Sequence, residues 1–277
     1  FGNYPNATNI MKCVYEGLQL PFDTALKVES RYFAHTMASP VARAMVRSLF
    51  INMQELNKGA RRPDTPHRKV KKIGVVGAGF MGAGIAYVSA KAGIDVVLLD
   101  RDQAAADKGK AYSEDLLTKA ISRRRSTEEK KTALLDRITP TADYSLFNDC
   151  DLVIEAVFED KEIKKVVTEQ CDAVTNSQCI FASNTSTIPI SDLALASKQP
   201  EKFIGIHFFS PVDKMMLVEI ILGKETGDEA LAMAIDYVTA IKKTPIVVND
   251  TRGFYVNRCV MRYLNEAWTM LVEGVPV

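Results

Sequence analysis

The stretch VVGAGFMGAGIAYVSAKAG, residues 75–93, decides the fold class of this chain. It overlaps the apolar run KKIGVVG of residues 71–77, which predicts a strand, and continues into a segment of helical length. Gly77, Gly79 and Gly82 form the pattern G-x-G-x-x-G where the strand meets the helix. The first glycine permits a tight turn, the second lets a pyrophosphate approach the backbone, and the third brings helix and strand together. The stretch therefore predicts a strand–turn–helix unit that binds a dinucleotide.

Further apolar runs extend this unit into a sheet. Most of them are separated by segments of helical length and period, which is typical of a parallel sheet covered by helices on both faces. The predicted fold class is therefore α/β, a Rossmann-type doubly wound and mainly parallel sheet. A helical segment precedes it and the start of an all-α domain follows it. The runs that predict further strands lie at residues 94–100, 150–157, 179–184, 203–209 and 216–221.

Asp100 indicates which dinucleotide is bound. This carboxylate ends the second predicted strand, 18 residues beyond Gly82. There it can accept hydrogen bonds from both hydroxyl groups of the adenosine ribose. A carboxylate at this place repels the additional phosphate of NADP, so NAD is the favoured cofactor. Arg101 is adjacent and could invert this preference, which leaves NADP as the alternative.

The composition excludes several classes of partner. The chain carries 35 basic and 34 acidic residues, so no net field favours nucleic acid or an anionic membrane. No apolar run approaches the ~20 residues that a membrane span requires. The five cysteines are scattered and show neither metal-ligand nor C-x-x-C spacing, which indicates reduced thiols and no metal site. The expected ligands are therefore small molecules.

The first 66 residues predict a helical segment and a linker. In residues 39–59, Ser39 and Pro40 fit the start of a helix, and apolar residues recur every three or four positions. A helix of this kind is expected to dock on the following domain, and a separate binding role is the alternative. Residues 59–69 are rich in charge and helix breakers, which is typical of a linker. The chain starts with phenylalanine and stops within a continuing pattern, so we expect a piece of a longer polypeptide.

His207 is the candidate acid–base residue of the chain. It lies near the end of the apolar run FIGIHFF, at the carboxyl edge where open parallel sheets bind ligands. His35 and His67 lie in the helical segment and the linker, and we expect both at the surface. Glu219 follows His207 by 12 residues in another apolar run, where a buried carboxylate needs a partner. A His–Glu pair fixes the tautomer of the imidazole and stabilises its cation after it takes a proton. The alternative interpretation of His207 is a core histidine bonded to a backbone carbonyl.

Five stretches of the chain occur in the order and spacing of one enzyme family. They read GAGFMGAGIA, DLVIEAVFED, ASNTSTIPI, GIHFFSPVDKMMLVEII and TPIVVNDTRGFYVNR. Together they resemble the 3-hydroxyacyl-CoA dehydrogenase family, above all the dehydrogenase part of multifunctional fatty-acid β-oxidation enzymes. EGLQLPFDTALKVESRYF resembles the linker that follows the enoyl-CoA hydratase domain in those proteins. The resemblance implies NAD-dependent oxidation of L-3-hydroxyacyl-CoA to 3-oxoacyl-CoA, in a parent protein that is also a hydratase.

The resemblance also implies a role for each motif residue. His207 would be the catalytic base and Glu219 its orienting carboxylate, while Ser186 and Asn257 would contact the substrate oxygen. Ser210 departs from the family pattern, because many members have asparagine after HFF. The residues expected to bind the cofactor are Gly77, Gly79, Met81, Gly82, Asp100, Val157, Phe158, Glu159, Lys164, Ser186 and Ser210.

Domain order and partners follow from the same resemblance. Residues 1–66 would be a helical linker after a hydratase domain, residues 67–250 the NAD-binding domain, and residues 251–277 the start of a helical C-terminal domain. The substrate would be an acyl-CoA, and the full-length protein would form a homo-oligomer or a complex with a thiolase subunit. Its location would be cytoplasmic in a bacterium and peroxisomal in a eukaryote. A small β-hydroxy acid dehydrogenase with a catalytic lysine and a non-catalytic NAD-binding protein are the alternatives.

Overall fold

The chain divides into one unit that ends at Ala60 and a second that starts at Arg61. The computed structural model describes residues 3–276, without the side chain of Asn57. In the first unit, α1 (Pro5–Gly17) and α2 (Phe22–Ala38) pack as an antiparallel hairpin. Asn9 Nδ2 donates to Thr36 Oγ1 at 2.8 Å, so the start of α1 faces the end of α2.

The helix predicted within residues 39–59 forms, with an irregular middle. Ser39 Oγ accepts a hydrogen bond from the Ala42 amide at 3.1 Å, and Pro40 takes the first helical position, as predicted. The helix runs as α3 (Pro40–Met45), a π-helical segment (Val46–Ile51) and α4 (Asn52–Asn57). The apolar period did not reveal the π-helical segment. Docking of this helix on the following domain stays a prediction.

The second unit contains an eight-stranded sheet with the strand order β3-β2-β1-β4-β5-β6-β7-β8. Among the strand pairs of the described residues, only β6–β7 is antiparallel, which confirms the predicted doubly wound, mainly parallel α/β fold. The strands are β1 (Lys72–Val76), β2 (Asp95–Leu99), β3 (Ile138–Thr141), β4 (Leu152–Glu155), β5 (Ile180–Ser183), β6 (Phe203–Phe208), β7 (Leu217–Leu222) and β8 (Thr244–Asn249).

Two of these strands, β3 and β8, were not predicted. Each carries a proline, Pro140 and Pro245 respectively, and each lies at an edge of the sheet. Proline cannot donate to a hydrogen-bond ladder, so sheets tolerate it mainly in edge strands, and it weakens the strand pattern of the sequence.

Helices cover both faces of the sheet. Successive strand residues point to opposite faces, so each face carries apolar side chains that a helix layer buries. In β1, for example, Val75 belongs to one buried apolar cluster and Val76 to the other. Within residues 3–276, no helix combines the length and apolar character that a membrane crossing requires. Two short 3-10 helices span Tyr144–Phe147 and Pro200–Lys202. The remaining α-helices of the described residues are α5 (Phe80–Lys91), α6 (Gln103–Ser122), α7 (Glu128–Leu135), α8 (Lys161–Asp172), α9 (Ile190–Ala194), α10 (Asp228–Ala240) and α11 (Val256–Val272).

Candidate active site

The predicted site residues gather along one edge of the sheet. The strands β1, β2, β4, β5 and β6 are mutually parallel, so their carboxyl ends face the same side. Gly77 follows β1, Asp100 follows β2, Val157 follows β4, Ser186 follows β5 and Ser210 follows β6. The direction of strand succession changes between β1 and β4, which is where open α/β sheets bind their ligands.

The glycine loop between β1 and α5 has the geometry of a dinucleotide site. Gly77 has a φ of +95°, which favours glycine. A Cβ atom at Gly82 would lie 1.7 Å from the carbonyl oxygen of Gly77, so only glycine fits there. A Cβ atom at Gly79 would meet nothing within 4 Å among the described residues. Two glycines therefore shape the turn, and Gly79 leaves open space beside the amino end of α5, where contact with a pyrophosphate stays a prediction.

Asp100 is fixed beside this glycine loop. Its Oδ2 accepts a hydrogen bond from the Ala78 amide at 2.7 Å, and its Oδ1 accepts one from the Arg101 amide at 2.7 Å. The half-buried carboxylate keeps lone pairs for the hydroxyls of a ribose. The Arg101 side chain is 85% exposed and lies 3.2 Å from Asp102. Its charge is thus partly offset by Asp102, and the preference of Asp100 for NAD stays a prediction.

Asp100→Ala is expected to weaken NADH binding by about tenfold and to reduce the difference in affinity between NADH and NADPH. The first effect follows from the lost hydrogen bonds of a charged group, and the second from the lost repulsion of the additional phosphate. Fluorescence titration with both nucleotides measures the two affinities. Asp115→Asn is the control, since it removes an exposed carboxylate in α6 and should leave both affinities unchanged. An unchanged preference for NADH in the Asp100 variant would show that this residue does not contact the ribose.

His207 and Glu219 form a buried pair across β6 and β7. They are directly opposite each other in the antiparallel register, and His207 Nδ1 lies 2.8 Å from Glu219 Oε2. The other carboxylate oxygen accepts hydrogen bonds from the backbone amides of Tyr255 and Val256, at 3.0 and 2.8 Å. These amides begin α11, where the helix dipole favours a negative charge. Glu219 therefore connects the imidazole to the first helix of the predicted C-terminal domain, a connection that sequence reasoning missed.

Hydrogen bonds keep Glu219 ionised despite its burial. Burial alone would raise the pKa of this carboxyl, but the bonds from His207, Val256 and Tyr255 outweigh it and lower the pKa below the ordinary value. The His207 ring packs near Phe209 and Phe254, with centroid separations of 4.6 and 6.0 Å. With Nδ1 donating to Glu219, Nε2 becomes the acceptor, and no other residue among those described bonds to it.

Ser186 and Asn257 are brought together from different parts of the chain. Asn257 Nδ2 donates to the carbonyl oxygen of Ser186 at 2.8 Å. The Ser186 hydroxyl makes no hydrogen bond with any residue in the described part of the chain, so it is available to a ligand. Asn257 thus supports the Ser186 loop, and the contact of either residue with a substrate stays a prediction.

Glu159 holds this loop from the other side. Its Oε1 accepts hydrogen bonds from Thr185 Oγ1, the Ser186 amide and the Thr187 amide, at 2.7, 2.8 and 3.0 Å. Burial acts to raise the pKa of Glu159, but these bonds and the Lys164 charge lower it, so the carboxylate stays ionised. The sequence signal for this carboxylate contact is the hydroxyl-rich stretch NTST of residues 184–187.

Lys164 is buried beside carboxylates at and just after the end of β4. Its side chain is 2% exposed, and its Nζ is 2.9 Å from both carboxylate oxygens of Glu155. Ser183 Oγ also donates to Glu155, and Glu159 Oε2 lies 3.5 Å from the ammonium. These carboxylates hold the ammonium in place, and its contact with the cofactor stays a prediction. Glu155 was missed because it occurs within an apolar run.

Lys164→Met is expected to lower the free energy of unfolding by about 3–5 kcal/mol, because it leaves Glu155 buried without its counter-charge. Urea denaturation measures this loss. The double variant Lys164→Met with Glu155→Gln should recover part of it. The matched control is Lys161→Met, since Lys161 pairs with Asp192 at the surface and its loss should cost about 1 kcal/mol or less. Equal losses at both lysines would contradict a structural role for the buried pair.

The other predicted cofactor residues differ in exposure. Met81 is half-buried in the first turn of α5 and packs against the sheet core. Val157 is half-buried, whereas Phe158 is 83% exposed. Ser210 is exposed, two residues after the end of β6. Each lies at the carboxyl edge, and its contact with a cofactor stays a prediction.

A glycine-rich strand–helix turn and a buried His–Glu pair in one sheet define a dinucleotide-binding α/β protein with an acid–base site. Residues 72–251 match the family described as 3-hydroxyacyl-CoA dehydrogenase, NAD binding domain. The chain therefore belongs to the 3-hydroxyacyl-CoA dehydrogenase family, and NAD is the cofactor of this domain.

Curated relatives cover the whole chain. It is 40% identical over 277 residues to the fatty acid oxidation complex subunit alpha of Shewanella amazonensis, and 40% identical over the same length to that of Shewanella baltica. In both cases the match covers 100% of this chain and 39% of the relative. The chain thus spans about two-fifths of the length of these relatives.

Solved structures of the same family are also similar. An (S)-3-hydroxybutyryl-CoA dehydrogenase from Ralstonia eutropha matches with a TM-score of 0.73 and 38% identity, over 75% of this chain and 74% of that one. The dehydrogenase part of multifunctional enzyme 1 from C. elegans matches with a TM-score of 0.63 and 28% identity, over 75% of this chain and 47% of that one.

Proposed function

We propose that this chain oxidises L-3-hydroxyacyl-CoA to 3-oxoacyl-CoA with NAD, as the dehydrogenase part of a multifunctional fatty-acid β-oxidation enzyme. The observation that carries this proposal is the buried pair of His207 and Glu219, next to the carboxyl edge that holds the glycine loop. Membership of the dehydrogenase family supports the reaction type, and the curated relatives support its place in fatty acid oxidation.

The geometry of the pair fits proton removal from a secondary alcohol. Glu219 accepts a hydrogen bond from Nδ1 of a neutral His207, which leaves the Nε2 lone pair to take the proton of the substrate hydroxyl. The carboxylate then stabilises the imidazolium that forms. Bound NAD supplies the acceptor for the hydride that leaves the same carbon. The Ser186 hydroxyl would donate to the reacting oxygen, with Asn257 and Glu159 fixing the loop that carries it.

The alternatives from the sequence have less support. A small β-hydroxy acid dehydrogenase would need a catalytic lysine, yet Lys164 is paired with Glu155, and Lys243 donates to two backbone carbonyls. Burying two ionisable groups is costly even when they are paired. A non-catalytic NAD-binding protein would have no need of the buried His207–Glu219 pair.

We extend the proposal to the longer protein that the relatives suggest. Residues 1–66 would link a hydratase domain to the NAD-binding domain of residues 67–250, and residues 251–277 would begin a helical C-terminal domain. The whole protein would bind acyl-CoA substrates and form a homo-oligomer or a complex with a thiolase subunit. In a bacterium it would act in the cytoplasm, and in a eukaryote it would act in the peroxisome.

The proposal is tested by mixing the protein with acetoacetyl-CoA and NADH and following the absorbance of the reduced nicotinamide. NADH should be consumed, and His207→Gln should abolish most of the rate without preventing NADH binding. Oxidation of a free β-hydroxy acid with no turnover of the CoA ester would favour the small-acid dehydrogenase. NADH binding with no turnover of either substrate would favour a binding protein.

A further inference from the structure

Lys243 is a buried lysine that the proposed reaction does not use. It lies in the turn between α10 and β8, and only 8% of its surface is exposed. Its Nζ donates to the carbonyl oxygens of Val212 and Met215, at 2.6 and 2.5 Å. Burial lowers the pKa of Lys243, the nearby Asp213 acts to raise it, and Lys91 acts to lower it further. Burial of an ammonium costs free energy unless the group is hydrogen-bonded. Here both side-chain hydrogen bonds that Lys243 makes within the described residues go to one loop.

Both acceptors belong to the loop between β6 and β7, which we call the β6–β7 loop (residues 209–216). Ser210, the predicted cofactor contact, lies in this loop only three residues after His207. Lys243 binds the backbone of the loop rather than a side chain. Its two hydrogen bonds therefore constrain the backbone conformation of the loop.

The β6–β7 loop rests on the helix that follows the glycine loop. Val212 is 1% exposed, and a Cβ atom at Gly84 in α5 would lie only 2.8 Å from its Cβ, so the two backbones are close. Tyr112 in α6 adds a hydrogen bond from its hydroxyl to Asp213 Oδ1 at 3.2 Å. The loop is thus held by Lys243 on one side and by α5 and α6 on the other. The amino end of the same α5 would meet the pyrophosphate.

We propose that Lys243 is a positioning residue for cofactor binding, because its ammonium fixes the β6–β7 loop against α5. Ser210 and the end of β6 are then held in place before the cofactor arrives, which reduces the ordering that binding would otherwise require. This inference rests on the proposed function, since it assigns the β6–β7 loop to the nicotinamide side of the site.

The decisive variant is Lys243→Met, which keeps the length of the side chain and removes the donors. Removal of the ammonium leaves the carbonyls of Val212 and Met215 without their donor, so the variant is expected to fold with a Tm several degrees below that of the wild type. The Kd for NADH should rise by about tenfold, the scale expected when a few loop side chains must become ordered on binding. Hydrogen exchange should increase at the amides of residues 212–216 in the absence of any ligand.

Lys242→Met is the matched control, because Lys242 is the adjacent lysine and its side chain is exposed. It should change neither NADH affinity nor hydrogen exchange. Lys243→Arg keeps a charged donor and should recover part of the affinity, which a role limited to apolar packing does not predict.

The outcomes separate this inference from the proposed function. Unchanged hydrogen exchange in the β6–β7 loop, or an unchanged Kd for NADH in a folded Lys243→Met protein, would overturn the role of Lys243 alone. A loss of affinity only in proportion to a loss of Tm would assign Lys243 to stability and would also overturn it. Failure of the wild-type protein to bind NADH would contradict the proposed function and the inference together.

Discussion

Glu219→Gln is expected to lower turnover of acetoacetyl-CoA at least ~100-fold while NADH affinity stays near that of the wild type. The reason is the tautomer of His207. The amides of Tyr255 and Val256 already donate to one side-chain oxygen of residue 219. A glutamine would keep its oxygen there and turn its NH₂ group toward His207. Nδ1 would then have to accept, and the ring proton would move to Nε2, where a base needs its lone pair.

Steady-state turnover and an NADH titration of the same preparation test this expectation. Glu225→Gln, a change at an exposed carboxylate in the loop after β7, is the control and should leave both quantities unchanged. Because glutamine preserves shape and hydrogen bonding to α11, the variant is expected to fold. Near-normal turnover in the folded variant would mean that Glu219 does not orient the catalytic base.

Gly79→Ala and Gly82→Ala are expected to abolish NADH binding for different reasons. At Gly79 the added methyl group has room in the protein, because nothing among the described residues lies within 4 Å of it. It would occupy the space through which a pyrophosphate approaches the backbone. At Gly82 the methyl group would lie 1.7 Å from the Gly77 carbonyl oxygen, so the turn itself must shift.

The two variants should therefore differ in stability. Gly79→Ala should keep a Tm within a few degrees of the wild type while its NADH affinity falls at least about 100-fold, since a blocked phosphate loses its hydrogen bonds at the helix terminus. Gly82→Ala should lose both affinity and several degrees of Tm. Thermal unfolding and fluorescence titration measure both properties. Normal NADH binding by Gly79→Ala would place the phosphates elsewhere.

Local patterns were sufficient for most of the fold because they act over short distances. The apolar runs predicted six strands, and the glycine motif located the turn after β1. The edge strands β3 and β8 were missed because Pro140 and Pro245 interrupt their patterns. Only pairing with a neighbouring strand makes such segments recognisable as part of a sheet.

The sequence by itself determined the parallel α/β fold, the dinucleotide loop and the candidate pair of His207 and Glu219, because strand periodicity and motif spacing encode them locally. Only the tertiary structure decided what each charged group touches. It joined Glu219 to the start of α11, paired Lys164 with Glu155, and placed the ammonium of Lys243 on the β6–β7 loop. The physical reason is that a buried charge is stabilised by whichever partner the packing of distant elements brings within hydrogen-bonding distance, and no local pattern specifies that partner.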